Sequence, residues 1–394
     1  MIQQLPSDLT DLVIDHISAE PASLSACALV CRQWFPRSRY HLFAEMKLQV
    51  GRALKRKGWY DEDKMDAFMD LMDASPTNLL ATIRRLRLSY GDGQSLAKAH
   101  LLRFPSCPLL LDLSIGLPRD SDADIIEGIR FQMAVVGNKF SSLSSFAFRF
   151  HSSTIRAATV FEVVSYLPTL ETLSLGGDDV TEGTAPLCIL PPRLRSFDTH
   201  ILRGIEFLFE HLISLPTLPL FRWMGMNNDG MELHGDTPMA SYIKHAGHAV
   251  ESLDLTIWGE EESFEQLALQ YCTNLRHISI ESNQTFPPYT YLIGLLSKTT
   301  SNDLRTIDIA THTNNMCIEL ADEDDVAARA LDNMLADPRF RNLTRFSVSD
   351  IGDRESVFTL EVQAKMLRAR ARGILQDPVR ATTPFQSARV TMDD

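Results

Sequence analysis

Leu170-Glu171-Thr172-Leu173-Ser174-Leu175 is the stretch that decides how the chain folds. A large apolar residue leads, two variable residues follow, and apolar and variable positions then alternate. The alternation gives a short β-strand with one apolar face, because successive strand side chains point to opposite sides. Working outward, the same six-residue phrase begins again at Ile83, Leu110, Leu143, Leu218, Val250, Leu275, Leu304 and Leu343, with a weaker copy from Leu194 to Thr199. In this frame the copy from Leu218 puts Phe221 and Trp223 in the core. Phe43 to Leu48 reads as an opening copy.

One phrase is a weak signal, but its spacing is informative. From Leu86 to Phe346 nine steps average near 29 residues, with 24 between Leu173 and Phe197 and 39 between Ile307 and Phe346. Helical patterns fill the intervals: Ile125 to Val136, Ala157 to Tyr166, Ile205 to Leu215, Phe264 to Tyr271, Tyr291 to Leu296 and Val326 to Leu335. Ser263 with Gln266 reads as a capping box, and the acidic run Asp322 to Asp325 suits the positive end of a helix. Strand followed by helix, repeated, predicts parallel strands joined by right-handed crossovers, each unit burying its apolar face on its neighbour. Both period and phrase resemble leucine-rich repeats, whose unit is about 20–29 residues. The expected fold class is α/β: a helical N-terminus, then an irregular solenoid with strands inside and helices outside. The usual Asn after the strand is mostly missing, with Asp178 and Asn283 the nearest equivalents, so the repeats are degenerate. A doubly wound open sheet made of the same elements is the competing fold.

If the apolar residues of each phrase face the core, the variable ones line the concave surface. Arg85, Arg87, Arg149, His200, Arg222, Met224, Asp254 and Asp308 are the expected target-binding residues. Asp198, His277, Glu281 and Arg345 are further members of that face. Early copies supply Arg and later ones acids, so the surface is expected to be electrically polarised. Trp59 and Trp258 fall outside the phrases and read as candidate exposed anchors.

The first 45 residues have another pattern. Leu5, Leu9, Leu12, Val13, Ile14 and Ile17 make one apolar helix stripe, with Pro6, Ser7 and Asp8 suited to its start. Pro21 permits a second start, and Leu24, Cys27, Val30, Cys31 and Trp34 form its stripe before Pro36. Arg37 to Phe43 makes a third fragment. About 40 residues are too few to bury this surface without disulfides, a metal or a partner. The stretch Leu5 to Trp34 resembles an F-box. Leu5, Pro6 and Leu9 match its opening, Val13 and Ile14 its apolar pair, Ile17 its helix end, Leu24 its second leading Leu, and Leu29, Val30, Cys31 and Trp34 its closing signature. Asp8 replaces a usual Glu, and Thr10 stands where an aliphatic residue is usual. The stretch Arg37 to Phe43 is similar to that of many basidiomycete F-box proteins. The resemblance implies that Leu5, Pro6, Leu9, Val13, Ile14, Ile17, Leu24, Cys27, Val30, Cys31 and Trp34 bind the Skp adaptor. Through it the chain would join a cullin–RING complex, as the substrate-recognition subunit of a ubiquitin ligase with a protein target. A non-ligase scaffold using the same repeats is the alternative.

Composition sets the remaining bounds. A net charge of −13 opposes nucleic-acid binding, although the region from Arg32 to Lys57 is basic. Six dispersed cysteines form no CxxC pair, so neither zinc nor a disulfide framework is expected. The N-terminus lacks the form of a signal peptide, and no stretch approaches a membrane span. A cytoplasmic or nuclear chain without membrane contact is expected. No phosphate loop, GxGxxG, GxSxG or HExxH occurs, so neither catalysis nor a cofactor is expected. Gly91, Asp92, Gly93, Gly176 and Gly177 read as turns after strands. The expected organisation is an F-box over 1–45, a connecting segment over 46–80, the repeats over 81–358, a closing helix over 359–375 and a disordered tail over 376–394.

Overall fold

The computed structural model describes residues 6–18, 20–50, 68–70, 82–90, 100–103, 107–117, 123–183, 188–229, 237–258, 267–282, 289–311, 322–350 and 366–375. The chain divides into two compact units: Met1–Leu194 with Leu215–Thr217, and Arg195–Ser214 with Leu218–Asp394.

The first unit opens with three helices, α1 (Ser7–His16), α2 (Pro21–Val30) and α3 (Phe35–Ala44). Pro21 sits at the first position of α2, where its missing N–H leaves no bond unmade. Both α1 and α2 pack on α3. Five parallel strands follow in chain order: β1 (Glu45–Val50), β2 (Arg85–Tyr90), β3 (Asp112–Leu117), β4 (Ser145–Arg156) and β5 (Thr172–Thr181). The phrases align in register: Met46, Leu86, Leu113, Phe146 and Leu173 form one row, and Leu48, Leu88, Ile115, Phe148 and Leu175 the next. These rows face the helices α4 (Ala123–Val136) and α5 (Ala157–Ser165), whose Ile129, Met133, Val160, Phe161 and Val164 are buried. Gly176 and Gly177 are not in a turn. They lie within β5, and the Phe150 ring packs where a Gly177 side chain would stand.

The second unit repeats the plan with β6 (Ser196–Arg203), β7 (Trp223–Asp229), β8 (Ser252–Trp258), β9 (His277–Ser282), β10 (Thr306–Thr311) and β11 (Arg345–Asp350), again parallel and in chain order. Its helices are α6 (Ile205–Ser214), α7 (Pro238–Ala246), α8 (Tyr289–Lys298) and α9 (Asp322–Leu335). Aromatic packing joins its layers: Phe197 meets Phe209 edge-on, and Phe221 lies between Phe197 and Tyr242. Strand order without reversal in either unit excludes the doubly wound alternative, which needs a switch point.

Three expectations about elements need revision. Helix α7 has no counterpart in the sequence reading, although Thr237 caps it by accepting from the Ala240 N–H at 3.2 Å and Pro238 begins it. The closing helix is shorter than expected among the described residues: α10 runs Leu367–Ala371, and 359–365 lie outside them. Of the pattern at Phe264 to Tyr271, only Leu269–Tyr271 is described as helical, a 3-10 turn. Asp332, on α9, caps α10 by accepting the N–H groups of Arg368 and Ala369, both at 2.9 Å. The Phe346 N–H then donates to the Ile374 carbonyl at 2.8 Å, and Leu375 bridges β11. This covers a sheet edge that would otherwise present unpaired backbone.

Candidate protein-interaction surfaces

The N-terminal helices turn one apolar stripe inward and leave another in solvent. Thr10 and Ile14 on α1 and Leu24 on α2 are buried, and the Thr10 hydroxyl donates to the Pro6 carbonyl at 3.2 Å. The opposite side exposes Leu9 by 50%, Leu12 by 63%, Val13 by 52%, Leu29 by 87% and Val30 by 61%. Each helix thus leaves large apolar residues in water, three on α1 and two on α2.

Of the expected adaptor contacts, Pro6, Leu9, Val13, Val30 and Cys31 are exposed, while Ile17, Cys27 and Trp34 are half-buried. Ile14 and Leu24 are corrections: both are sealed against their own chain and hold the helices together, so neither can face a partner. Leu5 lies outside the described residues. Leu12, Leu29 and Phe35 are exposed members that the sequence reading left out of the site. A stripe this wide has two sides, and periodicity alone does not say which one the chain keeps.

A polar clamp fixes the helices beneath this surface. Asp15 on α1 accepts two bonds from the Arg37 guanidinium, at 2.6 and 2.7 Å, and meets His41 Nε2 at 2.7 Å. Hydrogen bonds from Arg37, then from His41, hold the Asp15 carboxyl down to about 2. The Tyr40 ring lies 5.2 Å from both the Arg37 and the Arg84 guanidinium, which ties α3 to the approach to β2.

On the polar face of the first unit, Glu45 lies 3.8 Å from Arg85 and 3.6 Å from Arg87. Burial pushes the neighbouring Asp112 carboxyl upward, against the opposite pull of Arg85 and Arg87. Arg149 stands in register between Gly116 and Gly176.

The second unit carries two rows on its polar face. Ser196, Trp223, Ser252, His277, Thr306 and Arg345 make one, and Asp198, Gly225, Asp254, Ser279, Asp308 and Ser347 the next. Side chains link the rows. Trp223 Nε1 donates to Asp254 at 3.1 Å, and His277 stands between Asp254 and Asp308, at 3.7 and 3.9 Å. Asp308 accepts from Arg345 Nε at 3.0 Å and from the Ser347 hydroxyl. His200 lies 3.2 Å from Asp198. Burial pushes the His277 imidazole down, although Asp308 pulls it the other way.

Register corrects three residues here. Met224, expected on the open face, pairs with Phe197 and Leu253 and is fully buried. Trp223, expected in the core, takes its place on the polar face. Arg222 precedes β7 and pairs with Glu251 at 3.7 Å, away from the row of Asp254 and Asp308. The phrase in this repeat is therefore Phe221 to Met226. Leu218, Leu220 and Phe221 offer two overlapping frames, and only strand pairing selects one. Trp59 and the side chain of Trp258 lie outside the described residues.

Among the described residues, no group of three His, Cys, Asp or Glu is placed to hold a metal ion, and no helix is long and apolar enough to cross a membrane. No protein-family model matches the chain. No curated protein matches it either. Among solved structures it is similar to the leucine-rich repeat-containing protein LegL7 from Legionella pneumophila, at 11% identity and a TM-score of 0.43, over 82% of this chain and 97% of that one. The repeat fold described above rests on the chain's own strand order and register.

Proposed function

We propose that this chain is the substrate-recognition subunit of a Skp–cullin–F-box ubiquitin ligase, docking on the Skp adaptor through α1 and α2 and holding a protein target on the polar faces of its strands. The observation that carries the reading is the solvent exposure of Leu9, Leu12 and Val13 on α1 and of Leu29 and Val30 on α2, within the stretch that resembles an F-box. An apolar helix face of this kind suits a groove on another protein. The role is non-catalytic and needs no cofactor: the chain positions a target, and its partners supply the chemistry.

The test is capture of a purified Skp adaptor by the full chain, followed by addition of a cullin–RING pair. Leu9→Asp or Val13→Asp should abolish capture without unfolding the chain, because each places an unpaired charge in an apolar interface but on a surface already open to water. Capture by Leu9→Asp equal to that of the unaltered chain would overturn the adaptor assignment. Capture of the adaptor without any cullin joining would instead favour a scaffold outside the ligase.

A further inference from the structure

Trp223 is the aromatic residue that register moves from the core to the polar face of the second unit, and its surroundings specify a chemistry. Its six-membered ring lies across Gly225, where a side chain would fall 2.5 Å from Trp223 Cη2 and would also collide with the Asp198 carboxylate. The other end of the indole donates its N–H to Asp254. The ring therefore spans the gap between two carboxylates, Asp198 and Asp254, whose strands β6 and β8 flank β7 on either side.

The charge of the whole face agrees. At the positions that share Trp223's side of β6, β7, β8 and β9, the described side chains include Asp198, Asp254 and Glu281 and no Lys or Arg; the imidazoles there are His200, 3.2 Å from Asp198, and His277, 3.7 Å from Asp254. Arg345 enters only at β11, where it is taken up by Asp308. An electron-rich ring face bordered by carboxylates attracts a cation and disfavours an anion.

We propose that this face receives a Lys or Arg side chain, carried on a basic segment of the protein the chain holds, with its cationic head over Trp223 between Asp198 and Asp254. The proposal rests on the reading of the strand faces as the target-holding surface and names the class of segment they take. Gly225 acts as a positioning residue, since it lets the ring lie flat; Trp223 and Asp254 are the binding groups.

The probe is an immobilised set of random nonapeptides fixed at the centre as Arg, Lys, Leu or Asp, presented to the full chain. The Arg- and Lys-fixed pools should retain it about tenfold better than the Leu- and Asp-fixed pools, as a stacked and partly desolvated cation implies. Trp223→Ala and Asp254→Asn should each remove that preference, while Skp-adaptor capture by both variants stays as in the unaltered chain. Equal retention by the Asp- or Leu-fixed pools, or a preference that survives Asp254→Asn, would overturn the proposal. Should Trp223→Ala not fold, the indole N–H resonance of Trp223 in the unaltered chain, assigned with Trp223→Phe, gives the answer. It should shift with an Arg-fixed peptide, and an unmoved resonance would count against the site. Leu9→Asp separates the two claims: it should lose the adaptor and keep the peptide.

Discussion

Burial, residue by residue, decides which changes the chain tolerates. Leu24 is buried and Leu9 is half in water, although both belong to apolar stripes. Leu24→Ala should destabilise the first unit by about 2–5 kcal/mol, as deletion of a buried Leu does, while Leu9→Ala should change stability by less than about 0.5 kcal/mol. Chemical denaturation of the two variants checks the contrast, and equal effects would mean that the inward and outward sides of α1 and α2 are wrongly assigned. Gly225→Ala introduces a Cβ against Trp223 and Asp198. It should cost about 1–3 kcal/mol through overpacking, readable as a lower melting temperature. Leu9 and Leu24 look alike in the sequence, which is why the exposed apolar residues were legible as a region and not residue by residue. Side-chain type and spacing identify a stripe, but only packing chooses its buried half.

At the scale of elements, most strands and helices could be read directly from the sequence, because each phrase alternates cleanly and each helix repeats at three and four. The failures have separate causes. In the repeat holding Trp223 and Met224, Leu218, Leu220 and Phe221 crowd together and hide the frame. A shift of an odd number of residues exchanges the two faces, so Trp223 and Met224 traded places. Helix α7 was missed because Met239, Tyr242 and Ile243 form a stripe barely two turns long, although Thr237-Pro238 announces its start. The C-terminal cap offers a test at this scale. Asp332→Ala strips the acceptor from two N–H groups at the start of α10. It should cost about 1–3 kcal/mol for the donors left unmet and should speed hydrogen exchange at Arg368 and Ala369 before it affects β6 to β8. Uniform acceleration along the second unit would contradict a local capping role.

For the molecule as a whole, titration and docking are the informative properties. Burial pushes His211 on α6 and His277 on β9 below the ordinary 6.5. In the unfolded chain both take up protons first, so their stabilising contribution is complete above about 6.5 and is lost as the pH falls below it. Asp15 acts lower: its contribution is present above 3.8 and is lost as the pH falls through about 2. Stability measured from pH 7.5 to 5 should decline, and His277→Asn should flatten part of that decline. A slope unchanged by the variant would assign the effect elsewhere. The repeats bury their apolar rows against neighbouring repeats, whereas α1 and α2 keep Leu9, Leu12, Val13, Leu29 and Val30 in water. The assignment of a docking role depends on that difference. Hydrogen exchange of the full chain, alone and with a purified Skp adaptor, tests it most directly. Protection should appear over α1 and α2 and leave β6 to β11 unchanged; absence of any complex, or protection confined to the strands, would contradict it.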